Sequence, residues 1–111
     1  MNTISWDDFE KVEIRVGTVL TAEPFPEARN PAFKLTVDFG PLGVKQTSAQ
    51  ITIRYDPARL VGRQVLAVTN FPPKMIAGFK SEVLVLGAVP MEGDVVLLNV
   101  DENVPEGTRI L

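Results

Sequence analysis

The side chains best suited to acid–base chemistry are carboxylates near the two ends of the chain. Asp7, Asp8, Glu10 and Glu13 form one group, and Asp101 and Glu102 another. Paired carboxylates work as general acid and base only when a cleft holds them at a fixed separation. On an amphipathic helix and a terminal loop they read instead as solvated surface charge. The 111 residues include no His and no Cys, which removes structural zinc sites, thiol nucleophiles, a disulfide framework and the serine–histidine relay. The eight glycines are scattered at strand ends, so no Gly-rich loop is expected to cradle a phosphate. The expectation is a binder without cofactor or metal, not an enzyme.

Binding chemistry concentrates in Asn70 to Gly87, NFPPKMIAGFKSEVLVLG. Pro72 and Pro73 lack backbone donors, so the chain must leave the sheet there. Lys74, Met75, Ile76, Phe79 and Lys80 then mix cations with large apolar groups, in a loop rather than an alternating strand. Two readings stay open for this loop. Ile76 and Phe79 tuck into the core while both lysines face water, or the segment is a binding surface for phosphates or acidic peptides. Ser81 and Glu82 open the next strand, as hydrogen-bonding groups for base edges or peptide amides, or as a turn cap and a surface acid.

The formal charge is −3, from 11 basic and 14 acidic residues. It is unevenly spread. Residues 1–14 and 86–111 hold two basic groups against nine acids, 2 − 9 = −7, whereas residues 15–85 hold nine against five, 9 − 5 = +4. A mildly acidic chain argues against strongly electrostatic nucleic-acid binding, but the basic centre weakens that objection.

These residues need a scaffold. Ser5-Trp6-Asp7-Asp8 has the pattern of a capped helix start, with Trp6 and Phe9 on one face. From Val12 the apolar period becomes two, as in a strand, and Gly17 is expected to mark a bulge. A second strand runs Phe33 to Phe39. Gly40 to Gly43 then makes a hairpin-type connection into Val44 to Gln50. Asp56-Pro57 begins a helical turn, with Asp at the N-cap and Pro at the first position. Gln64 to Thr69, Glu82 to Ala88 and Asp94 to Asn99 supply further strands, whose near-continuous apolar runs suggest burial on both faces or cover by a partner. At this length an all-β, five-stranded OB-fold barrel with a short N-terminal helix and a C-terminal extension is the economical architecture, as one domain over residues 1–111. The N-terminus does not read as a signal peptide, and the longest apolar run, Val83 to Val89, is too short to cross a bilayer. A cytoplasmic protein with no membrane insertion is expected.

Asn70, Gly78 and Ser81-Glu82, followed by Val83 to Leu86, resemble the signature of the tRNA-binding domain family, which includes the C-terminal domain of bacterial methionyl-tRNA synthetases and the EMAP II domain. Upstream, Arg15 to Val19 resembles its first strand, and Phe25 to Arg29 through Leu35 to Gly40 its second. With WDDFEKVEIRVGTV, FPEARNPAFKLTVDFG and KQTSAQIT, the chain is most similar to the CsaA subfamily, linked to tRNA binding and to chaperone activity in protein export. Three positions depart from the wider family. Ala77 stands where a basic residue is usual, Phe25 where a histidine is common, and Pro31 near a common lysine.

The resemblance implies a homodimer whose grooves accept tRNA or extended polypeptide, and it places Asn70, Gly78, Ser81 and Glu82 in the groove motif with Gln46, Ser48 and Gln50 beside them. Phe71, Lys74, Met75, Phe79 and Lys80 complete the candidate groove. Arg15, Lys34, Lys45 and Arg54 are candidate phosphate contacts. The dimer seam is expected to join Trp6 and Phe9 to Val95, Val96, Leu97 and Leu98. The expected partners are tRNA, bound weakly and salt-sensitively, and unfolded or extended polypeptides, with a link to export machinery. The alternative is a polypeptide-binding chaperone with little affinity for tRNA.

Overall fold

Ser5 caps the first helix as its sequence requires. Its Oγ accepts the Asp8 N–H at 3.1 Å, and the Asp8 carboxylate accepts the Ser5 N–H at 3.2 Å. Helix α1 is only Trp6–Glu10, and none of its residues is buried. The structure, a computed structural model, describes all 111 residues.

Strand β1 (Ile14–Pro24) is long enough to serve two neighbours. Its second half pairs antiparallel with β2 (Phe33–Asp38), which pairs with β3 (Val44–Ala49), while its first half pairs with β4 (Gln64–Val68). After β4 the chain makes two short strands, β5 (Lys74–Ile76) and β6 (Phe79–Ser81), before β7 (Leu84–Val85) returns to pair with β4. The barrel order is therefore β3-β2-β1-β4-β7. This is the five-stranded, nearly closed OB-type barrel. The hairpin β8 (Gly87–Met91) and β9 (Asp94–Leu97) follows, and β10 (Arg109–Ile110) ends the chain against β1.

Alternation in β2 buries Phe33, Leu35 and Val37 and turns Lys34, Thr36 and Asp38 outward. Phe39, Leu35 and Leu60 are fully enclosed, each adding roughly 1.5–3 kcal/mol of burial. Helix α2 (Pro57–Leu60) forms as expected, with the Asp56 carboxylate accepting the Ala58 N–H at 3.0 Å, and it delivers Leu60 to the core.

Three expectations are corrected. The bulge in β1 falls between Val19 and Thr21, not at Gly17. Gly17 is small for packing instead, since a Cβ there would stand 2.7 Å from the Phe39 ring. Residues 74–81 form the β5–β6 hairpin, not a loop. Glu82 to Ala88 is not one strand, because the sheet keeps only Leu84 and Val85 and the chain starts a separate hairpin at Gly87. Of the apolar strands, β4 alone is buried throughout. Gln64 ties the C-terminal stretch beside it, donating to the Val104 carbonyl at 2.7 Å and accepting its N–H at 3.2 Å.

Candidate ligand-binding groove

The β5–β6 hairpin turns through Ala77 and Gly78, both at positive φ (47° and 80°), which is the two-residue I′ geometry suited to strand twist. Cross-strand pairing puts Lys74 opposite Ser81 and Ile76 opposite Phe79, so these four share one face. That face meets β3. Ser81, buried, has its Oγ 3.0 Å from the Ser48 N–H, which it accepts, and 3.2 Å from the Thr47 hydroxyl. Glu82 continues the join. Its N–H donates to the Gln46 carbonyl at 2.9 Å, and its Oε1 accepts the Gln46 N–H at 3.1 Å. The barrel is thus closed between β3 and residues 80–83 largely through four side chains, those of Gln46, Thr47, Ser81 and Glu82.

Below this join lies a groove of about 520 Å³. Ile51, Phe71, Ile76, Val83, Val85 and Val95 give it apolar walls, while Ser48, Gln50, Lys74 and Glu82 supply polar groups. Ile51 and Val83 belong to the core cluster, so the groove opens onto the core. The Val95 wall is held from outside. Arg54 makes a two-pronged ion pair with Asp94, at 2.5 and 2.8 Å, and the Tyr55 hydroxyl accepts the Leu97 N–H at 2.9 Å. The hydrogen bond from Arg54 holds the Asp94 carboxyl below the usual carboxylate range.

The groove brings together Ser48, Gln50, Phe71, Lys74, Ser81 and Glu82 of the expected set. It leaves out the other six. Met75 is exposed on the hairpin's far side with Lys80, and Gly78 sits in the turn. Gln46 spends its amide on the Lys80 carbonyl at 2.9 Å. Asn70 is a bridge: its Nδ2 donates to the Lys11 carbonyl at 2.6 Å, and its Oδ1 accepts the Glu13 N–H at 3.0 Å. Phe79 shares a face with Ile76 but lies outside the groove, its ring edge-on to buried Phe25 with centroids 5.4 Å apart. The first of the two readings of this segment is partly met, since Ile76 and Phe79 are half-buried and the two lysines exposed.

Two candidate phosphate contacts are committed elsewhere. Arg15 donates to the Gly107 carbonyl at 3.1 Å and pairs with Glu13 at 3.0 Å, and Arg54 is held by Asp94. Lys34 and Lys45 have no carboxylate partner, but they alternate in facing, because Lys45 shares its row with Val37 and Lys34 with Ser48. In the expected seam Leu97 is buried in the core, so it is not available to a partner. Trp6 is 80% exposed and Leu98 38%, whereas Phe9 and Val96 are half-buried and Val95 lines the groove. Sequence reading missed Ile51, Val83, Val85 and Val95 as groove residues, and their only sequence signal was apolarity.

An open apolar groove thus lies beside a small OB barrel, rimmed by amide and hydroxyl groups. The family model described as "Putative tRNA binding domain" matches residues 14–109, and the chain belongs to this family, in its CsaA subfamily. It is 57% identical to a solved chain described as chaperone CsaA from Bacillus anthracis, covering 99% of this chain and all of that one, with a TM-score of 0.96. It is 46% identical to a CsaA chaperone protein from Picrophilus torridus, covering 98% and 100%, with a TM-score of 0.90. It is also 42% identical over 107 residues to a methionine–tRNA ligase of Rhodopirellula baltica. That match takes in 96% of this chain but spans only 16% of the ligase. No helix is long and apolar enough to cross a membrane.

Proposed function

We propose that this chain is a non-catalytic binding protein with two ligands, an extended polypeptide and tRNA. The observation that carries the reading is the groove. Its apolar walls suit large side chains of an unfolded client, and the Gln50 backbone beside them has no partner within the protein. Family membership and the CsaA chaperones it resembles support the same pair of ligands. RNA is met on the outward faces of β2 and β6, where Lys34 and Lys80 are free of carboxylates.

With Arg15 and Arg54 occupied, two or three phosphate contacts remain. The slope of log affinity for tRNA against log salt is then about −2, whereas polypeptide binding is weakly salt-dependent. Fluorescence titrations of tRNA and of a reduced, unfolded polypeptide at two salt concentrations test both halves. A chain that holds the polypeptide but shows no measurable tRNA binding is a chaperone alone, a reading favoured by the two committed arginines. Failure to hold either ligand removes the proposal.

We further propose a homodimer formed through Trp6, Ile4 and Leu98, exposed apolar groups that a partner would cover. A monomer in sedimentation at micromolar concentration rejects it. A cytoplasmic setting and a link to protein export complete the proposal, carried by the subfamily relationship alone.

A further inference from the structure

We propose that Lys34 couples the two ligand surfaces, so that an anion bound at β2 weakens the grip of the groove on an apolar chain. This rests on the groove reading above. The Lys34 ammonium sits 4.7 Å from the Phe25 ring centroid and 5.2 Å from that of Phe79, within range of cation–π attraction to both. Its cross-strand neighbours are Glu23 and Ser48, and no carboxylate lies within ion-pair distance. The ring faces are therefore its main seat.

That seat anchors the hairpin tip. At its base the hairpin is fixed by Ser81 and by the Gln46–Lys80 bond. Near the turn Phe79 packs against Phe25 and Lys34, and a Cβ added at Gly78 would meet nothing within 4 Å. Phe79 is the direct partner of Ile76, and Ile76 lines the groove. A polyphosphate oxygen offers the ammonium a stronger partner than a ring quadrupole. Taking it draws Lys34 off Phe79, frees the tip, and lets the Ile76 wall move. One cation thus serves both surfaces in turn, and the coupling is negative and reciprocal.

The test titrates the whole protein with sodium tripolyphosphate while following the Phe79 ring and Ile76 methyl signals by NMR. In parallel, the affinity for an uncharged, Phe-containing fluorescent peptide is measured. In the wild type both signals move along one saturation curve, and peptide affinity falls about three- to tenfold to a plateau. In Lys34→Met, which keeps the apolar stem, neither signal responds and peptide affinity is independent of the anion. No response in the wild type, the same response in Lys34→Met, or a peptide affinity that falls without a plateau (direct competition) overturns the proposal. A protein that shows the coupling but fails to bind tRNA keeps this inference and loses the RNA reading. One that binds no peptide, even if the anion moves both signals, loses the groove reading and this inference with it. One that binds peptide without the coupling loses this inference alone.

Discussion

Ser81 Oγ accepts the Ser48 N–H at 3.0 Å, so a side chain does for β3 what a neighbouring strand does elsewhere in the barrel. Ser81 is 9% exposed, and its replacement by alanine leaves the Ser48 donor without its acceptor. Such a loss costs about 1–3 kcal/mol. Ser81→Ala is therefore expected to lower the urea midpoint at unchanged slope. A serine that acted only on ligand would weaken binding and leave the midpoint where it was, so the two roles separate in one experiment.

Asn70 joins the end of β4 to the α1–β1 junction through the Lys11 carbonyl and the Glu13 N–H. The helix has no buried residue of its own, so it depends on attachments of this kind. Asn70→Ala is expected to raise amide exchange at Glu13 by about 5–30-fold, the equivalent of 1–2 kcal/mol of local stability. Exchange at Ser48, held by the hairpin, should stay as it is. Thr69 still donates to the Glu13 carbonyl, so the strand itself survives. Equal loss of protection at both sites would show global unfolding and remove the local role.

Asp94 lies below its ordinary pKa because Arg54 hydrogen-bonds its charged form, and Arg54 is raised for the same reason. A carboxyl with a depressed folded pKa contributes stability above its unfolded value, near 3.8. That contribution is lost as pH falls through the lower, folded value. Urea midpoints of the wild type are thus expected to drop as pH falls below about 4, with a smaller drop in Asp94→Asn. The Asn variant should also loosen Val95, seen as faster exchange along β9. Identical pH profiles in the two proteins would show that Arg54 does not hold this carboxylate in solution.

Local chemistry was legible in the sequence wherever neighbours in the chain decide the outcome. The capping box at Ser5 and Asp8, the Asp56-Pro57 helix start and the alternation from Phe33 to Phe39 all formed as their residues require. What the sequence concealed depends on distant partners. Arg15 looks free until the Gly107 carbonyl, 92 positions on, arrives beside it, and Arg54 until Asp94, 40 positions on, does the same. Ser81 and Glu82 read as ligand groups because nothing near them in the chain shows that β3, more than 30 positions back, will need acceptors. Leu97 carries the same apolar signal as the exposed Leu98, and only the fold of β9 sends one inward.

The β5–β6 hairpin was hidden for a different reason, and it can be strengthened. Three-residue strands are too short to display a period, and the usual Asn-Gly signature of an I′ turn is replaced by Ala77-Gly78. Ala77 occupies the left-handed region at φ 47°, where an alanine Cβ crowds the following carbonyl at a cost of roughly 1–2 kcal/mol. Asn tolerates that conformation better, through local hydrogen bonding of its short side chain. Ala77→Asn is therefore expected to raise stability by about 0.5–1 kcal/mol. The reverse change, Gly78→Ala, should cost a similar amount through the backbone alone, because nothing stands within 4 Å of the Cβ it would add. Urea midpoints of the two variants measure both effects. A gain in Gly78→Ala, or a loss in Ala77→Asn, would mean that the hairpin turns by another route.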